Sequence, residues 1–286
     1  MSQTAFEVSY PEKHRSCVVF ASPHSGRDYP WSLLRASVLD ELAIRSSEDA
    51  FVDQLFECAP QFGATFLKAG VPRAFVDLNR SSDELDPALI EGARRRGHNP
   101  RVASGLGVIP RVVSNGRAIY RGKIAMLEAK RRLDEYWHPY HNMLQSVLDQ
   151  AVERHGQAVL IDCHSMPHEA VQGVARTGAK RPDIVLGDRF GAAAAGEVVD
   201  RVEAAFVAAG FCVARNAPFA GAYITQAYGR PTRSQHAVQV EIDRAIYMNE
   251  DRVEPAAHFA DVQRTLRGVV AEIARIGQDR APLAAE

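Results

Sequence analysis

Long apolar runs are missing from this 286-residue chain, and one class of function goes with them. No stretch approaches the ~18 consecutive apolar residues that a membrane-spanning helix needs. A charge excess is missing too, since 34 basic and 35 acidic residues leave a formal net charge of −1. That balance gives no support to a nucleic-acid partner or an anionic membrane surface. The basic run Arg94-Arg95-Arg96 is a local exception that a solvated loop explains as well as a binding patch does. Cysteine is scarce, and Cys17, Cys58, Cys163 and Cys212 form no C-x-x-C pair. The first 20 residues carry Glu7, Glu12, Lys13, His14 and Arg15 in place of an apolar signal core. Free thiols in a cytoplasmic protein are therefore expected. The G-x-S-x-G elbow, the P-loop and the full G-x-G-x-x-G are absent as well, which leaves serine hydrolases, P-loop NTPases and dinucleotide enzymes without their usual signatures.

What is present is the composition of a globular protein, 46% hydrophobic and 24% charged. Apolar, β-branched runs predict strands at Cys17–Ala21, Thr65–Lys68, Phe75–Leu78, Val108–Val113, Ala158–Cys163, Asp183–Leu186, Phe211–Ala214 and Ala237–Ile242. Helical periodicity lies between them, over Asp49–Phe62, Lys123–His155, Gly196–Ala209 and Ala257–Ile276. Pro139 must kink or divide the second of these. Ser46 or Ser47 is the expected N-cap of the first, with Glu48 and Asp49 near its opening turn. The alternation predicts a single α/β domain over residues 1–286, with its core at about 15–277 and a largely parallel or mixed sheet flanked by helices.

Two of the predicted strands end in the same way. "SCVVFASPHSG" delivers His24, and "AVLIDCHSMP" delivers Asp162, His164 and Ser165. Ligand sites of open α/β sheets lie outside the carboxyl ends of strands, so the histidines are candidates to meet. Two imidazoles with a nearby carboxylate could hold a metal and leave a coordination position open. "RSSEDAFVDQLF" offers Glu48 and Asp49, although carboxylates there also suit a helix dipole. "AFVDLNRSSDEL" ends a predicted strand at Asn79 and Arg80; the arginine fork suits a substrate carboxylate or a salt bridge with Asp77, Asp83 or Glu84. In "AVQVEIDRAIYM", Gln239, Glu241 and Asp243 form the polar face of a strand that points either to solvent or into a cleft.

Together these stretches, with "GVIPRV", "HPYHNMLQ" and "PFAGAYITQAYGRP", resemble the N-formylglutamate amidohydrolase family in matching order from about residue 17 to 250. The resemblance implies a fold similar to that of zinc carboxypeptidases and aspartoacylases, with one divalent metal, zinc in the family. It implies hydrolysis of the formamide of N-formyl-L-glutamate, a small anionic substrate, to formate and glutamate in histidine degradation. By position, His24 and His164 look like imidazole ligands and Asp49 like the carboxylate ligand, with Glu48 its rival because the family often reads "DTDWHV" where this chain reads "SEDAFV". Arg27 stands where the carboxypeptidase relatives carry the glutamate of their His-x-x-Glu. Glu241 matches the general base. Asn79 and Arg80 match the substrate-carboxylate motif, and Arg73, Arg244 and Tyr223 are further candidate substrate contacts. A deacylase of another N-acyl amino acid and a non-catalytic binding protein on the same fold are the alternatives.

Overall fold

The computed structural model describes residues 4–94, 97, 99–172 and 180–278. Arg95 and Arg96 of the basic run lie outside the described residues. Seven strands form one sheet: β1 (Phe6–Ser9), β2 (Val18–Ser22), β3 (Thr65–Ala69), β4 (Ala158–Met166), β5 (Ile184–Gly187), β6 (Val213–Arg215) and β7 (Gln235–Asp243). Their spatial order is β1-β3-β2-β4-β7-β5-β6. Neighbours β3–β2, β2–β4, β4–β7 and β5–β6 are parallel, whereas β1–β3 and β5–β7 are antiparallel. The class is α/β, with a mixed, mostly parallel sheet between helices. The central strands β2, β4 and β7 are buried over their full length; β2 and the first half of β4 are accordingly continuous apolar runs, whereas β7 carries buried polar side chains on one face.

The period-2 alternation of the strands sorts their side chains onto two faces. Val18, Phe20, Val159, Ile161, Cys163, Val238, Val240 and Ile242 pack against the helices Val52–Phe56, Gly196–Ala208 and Phe259–Ile273. Val19, Ala21, Ala158, Leu160 and Ala237 pack on the other face, under the helix His138–His155. This second face changes character along the strands. β4 passes from Ala158 and Leu160 to Asp162 and His164, and β7 passes from Ala237 to Gln239 and Glu241. The connection from β2 leads to β3 on one side, while β4 lies on the other side of β2. The carboxyl ends of β2 and β4 therefore flank a topological switch point, where such sheets open a crevice.

Two expected strands are buried loops instead. Phe75–Leu78 and Val108–Val113 join no strand ladder; Asp77 N–H donates to Val108 C=O at 2.8 Å, and Val108 N–H donates to Glu84 C=O at 2.9 Å. Short apolar runs report burial without reporting backbone conformation, and Pro110 interrupts the second of these segments. Conversely β1, a four-residue edge strand with partly exposed side chains, lacks the apolar run that would announce it. The expected helix Asp49–Phe62 is also broken. Ser46 closes the preceding helix Glu41–Arg45, Phe51 takes φ 66, and helix proper spans only Val52–Phe56. A 3-10 turn, Ala59–Phe62, follows and stops at Gly63, φ 84. Pro139 divides its helical region: Met126–Arg132 passes through a π-helical segment, Leu133–Trp137, into His138–His155. Among the described residues no helix is long and apolar enough to cross a membrane.

Candidate metal centre and active site

His24 lies just beyond β2, in a loop that rests directly on another backbone. A Cβ at Gly26 would meet the Val71 carbonyl oxygen at 2.1 Å, so only glycine permits this approach. His164 and Asp162 share a face of β4, and the β4–β7 register pairs His164 with Glu241. Asp49 arrives on the turn before the helix Val52–Phe56, where its N–H donates to the His24 carbonyl at 3.0 Å. One ligand atom from each of His24, Asp49 and His164 falls within 4.8 Å of the others, and all three residues are buried.

The geometry around this group is directional. Asp49 Oδ2 lies 3.4 Å from His24 Nδ1 and 2.9 Å from His164 Nδ1. Behind the rings, His24 Nε2 is 2.7 Å from Asp77 Oδ1. His164 Nε2 is 3.0 Å from Asp162 Oδ1 and 3.0 Å from Asn79 Nδ2. The second Asp49 oxygen accepts from Arg244 Nη2 at 2.9 Å, and Arg244 Nε donates to Ser165 Oγ at 3.1 Å. Asp77 also accepts from Arg73 Nη2 at 2.8 Å. Each imidazole thus turns Nδ1 toward one point while a carboxylate stands behind its Nε2. For His24 this is the usual arrangement of metal-binding histidines, whose outer nitrogen is held by a carboxylate, whereas Asp162 Oδ1 stands near His164 Nε2 without an aligned hydrogen bond. Among the described residues, buried His24 Nδ1 has no aligned hydrogen-bond partner, as a ligand nitrogen would have none. The donor set suits a divalent metal, and the group could hold one.

Glu48 is placed differently. Arg45 grips both of its oxygens at 3.0 and 3.1 Å, and the Tyr29 hydroxyl donates to it. Arg27 pairs with Asp53 through two contacts of 3.1 Å and stands apart from the histidines. Neighbouring charges set the ionisation of the centre. Burial would raise the carboxyls of Asp49 and Asp77, yet hydrogen bonds from His164 and His24, and Arg73 beside Asp77, hold both well below the ordinary range. Burial would lower His164, but Asp162, Asp49 and Glu241 hold it well above the usual histidine value. For Glu241 burial prevails, aided by Asp49 and Asp162 against His164 and Arg73, and pushes its carboxyl up to about 7. A buried carboxyl poised there can exchange a proton near neutral pH.

The centre opens into a cavity of about 750 Å³, and His24, Asp49, His164 and Glu241 all line it. The polar face of β7 therefore looks into this cleft; Glu241 is only 7% exposed. Among the candidate substrate contacts, Asn79, Arg73, Arg80 and Arg244 line the cavity as well. Arg80 donates to the carbonyls of Leu106 and Asn79, an arrangement distinct from the salt bridge weighed above. Arg244 lines the cavity and also bonds Asp49 and Ser165, which places it against a carboxylate of the centre. Asn79 is likewise engaged, accepting from Ile224 N–H at 2.7 Å. Tyr223 lies off the cavity wall, its ring against Trp137 and His141. His141 itself is structural: its nitrogens meet Tyr228 Oη and Leu78 C=O, each at 2.9 Å. Sequence reasoning missed Arg101, which lines the cavity from the short helix Pro100–Ala103, and Gln239, which touches Glu241. It read Asp77 only as a salt-bridge partner. The spacing of Gln239 from Glu241, two residues along one strand face, was the available signal.

Comparison with known proteins agrees in family and fold. The model of the N-formylglutamate amidohydrolase family matches residues 16–248. An N-formylglutamate deformylase of Pseudomonas aeruginosa is 31% identical over 274 residues, covering 93% of this chain and 94% of that one. One from Pseudomonas putida is 29% identical over 263 residues, covering 90% of each chain. The crystal structure of an N-formylglutamate amidohydrolase from Ralstonia eutropha JMP134 superimposes with a TM-score of 0.89 at 34% identity, covering 96% of this chain and 99% of that one.

Proposed function

The chain belongs to the N-formylglutamate amidohydrolase family, and from that premise we propose that it is a cytoplasmic, zinc-dependent hydrolase that releases formate from N-formyl-L-glutamate. The observation that carries this reading is the convergence of His24, Asp49 and His164 beside Glu241 in an arginine-lined cavity. His24, Asp49 and His164 are the residues that would hold the metal. A divalent ion bound by them supplies Lewis acidity and lowers the pKa of a water toward ~7.

The protein's own groups supply the rest. Glu241 takes a proton from the attacking water as the C–O bond forms, then delivers it to the departing nitrogen as the C–N bond breaks. Arg244 and Asp77 keep Asp49 and His24 in place while this happens. Arg80, buried and, among the described residues, hydrogen-bonded through its side chain to carbonyl oxygens, offers its positive charge to a substrate carboxylate. Arg101 on the same cavity offers a second. Arg73 is largely neutralised by Asp77 and contributes chiefly to holding that aspartate.

The test is formate release from a panel of N-formyl and other N-acyl amino acids, with metal content measured on the same preparation. Fastest turnover of N-formylglutamate is expected. Preference for a different acyl-amino acid would transfer the chemistry to another substrate, and bound metal without any turnover would favour the binding protein.

A further inference from the structure

Gln239 precedes Glu241 by two residues on β7 and shares its face. It is buried, and its Nε2 donates to Glu241 Oε1 at 2.7 Å. At its other end, Oε1 accepts from the Ala222 N–H at 3.1 Å. The second contact decides the first: an amide has one acceptor end and one donor end, so satisfying Ala222 with oxygen aims the NH₂ at Glu241. The Ala222 N–H is itself firmly placed. Gly221 sits at φ 108, a conformation that side chains avoid, and a Cβ on Gly187 of β5 would meet Gly221 N at 2.6 Å. Two residues on, the Ile224 N–H bonds Asn79 Oδ1, and the Asn79 NH₂ in turn points at His164 and Asp162. One short segment therefore orients two side-chain amides, one facing the metal group and the other facing Glu241.

We infer that Gln239 is the positioning residue of the proton shuttle, holding Glu241 Oε1 so that Oε2 takes the proton from water and returns it to the leaving nitrogen. This rests on the reading of Glu241 as the base. The proton balance is closed by that one oxygen: water loses a proton to Oε2, the carbon–nitrogen bond breaks, and the same proton ends on the amine. Gln239 keeps both of its amide protons throughout. Its donor keeps the carboxylate from rotating toward Arg73 or His164, either of which would attract it in a buried site.

The experiment is a double-mutant cycle on the metal-loaded protein with N-formylglutamate as substrate, using Gln239→Met, Glu241→Gln and the pair. Gln239→Met retains length and bulk but has no amide. Its kcat should fall roughly 10- to 100-fold, the scale of one hydrogen bond to a charged group, with KM within about threefold and metal content unchanged. Placed on Glu241→Gln, the same change should cost less than about twofold, because a residue acting through Glu241 has nothing left to act on. Losses that multiply across the cycle would overturn the inference, as would a wild-type kcat in Gln239→Met. Wild-type turnover in Glu241→Gln alone would instead remove the base assignment, so the two failures are separable. Gln239→Asn, which is too short to span both contacts, should repeat the pattern and guards against poor folding of the methionine variant.

Discussion

Glu241 should cost the metal-free protein stability, and Glu241→Gln should return it. Burial, reinforced by Asp49, pushes this carboxyl from 4.5 to about 7. An acid whose folded pKa lies above its unfolded value binds more protons folded than unfolded between those two values. Its contribution to stability is therefore withdrawn as pH rises through the window from 4.5 to about 7. At 1.36 kcal/mol per unit, the withdrawal is on the order of 3 kcal/mol above that window, a large part of the ~5–15 kcal/mol that holds a typical domain together. The glutamine variant is neutral at every pH and still accepts the hydrogen bond from Gln239. Urea unfolding of chelator-treated wild type and variant, at about pH 5 and about pH 8, measures the effect. The variant's advantage should grow between those conditions by on the order of 3 kcal/mol. Asp49, His164 and the remaining titrating groups are common to both proteins and cancel to first order. Reloading the metal should shrink the growth, because a cation beside the carboxyl favours its ionised form. An advantage that does not change with pH would refute the reasoning.

Asp49→Asn should weaken metal binding by more than ~100-fold by metal titration, since a ligand contributes more than the 10- to 100-fold of its supporting partners. Glu48→Gln should keep full metal content and lose about 1–3 kcal/mol in denaturant unfolding, because it breaks the buried contacts with Arg45 and Tyr29. Arg80→Lys should raise KM for N-formylglutamate by roughly 10-fold in steady-state assays, because the charge survives and the fork does not. Arg101→Met should lower the ratio of kcat/KM for N-formylglutamate over N-formylglutamine by roughly 10-fold, the discrimination expected of one exposed-to-buried charge contact. An unaltered ratio would remove Arg101 from substrate recognition.

The parts of the site that were legible sit on strands. His164 and Glu241 belong to β4 and β7, where side-chain direction follows from counting by two, and His24 follows directly on β2. The parts that were not legible sit on irregular backbone. Asp49 could be named as a carboxylate but not placed, because the helix expected to carry it begins only at Val52, after a left-handed residue at Phe51. Asp77 was hidden because its segment is a buried loop whose backbone bonds to another loop. Arg244 follows the end of β7, and its turn toward Asp49 comes from a 3-10 segment, Arg244–Ile246, that no hydrophobic period announces. Local pattern reads regular elements, whereas the partners of a buried charge are decided by tertiary contacts.

Formal charge offers an independent argument for the kind of ion the centre would hold. Asp49, Asp77, Asp162 and Glu241 converge on the histidine pair, and Arg73 and Arg244 bond the first two of these carboxylates. Metal-ligating imidazoles are neutral, so the four carboxylates outnumber the two guanidiniums bonded to them, and with Arg80 also acting on Asp77 the buried volume still holds an excess of negative charge. Leaving it so would be costly, and the same surroundings push both Glu241 and His164 up, toward their protonated forms. A divalent cation removes the same excess without using those protons. It would favour the ionised form of Glu241, with Arg80 and Arg101 on the wall of the same cavity. Under the proposed function, those two positive charges would face the two carboxylates of an N-acyl glutamate, and a monoanionic substrate would engage only one of them.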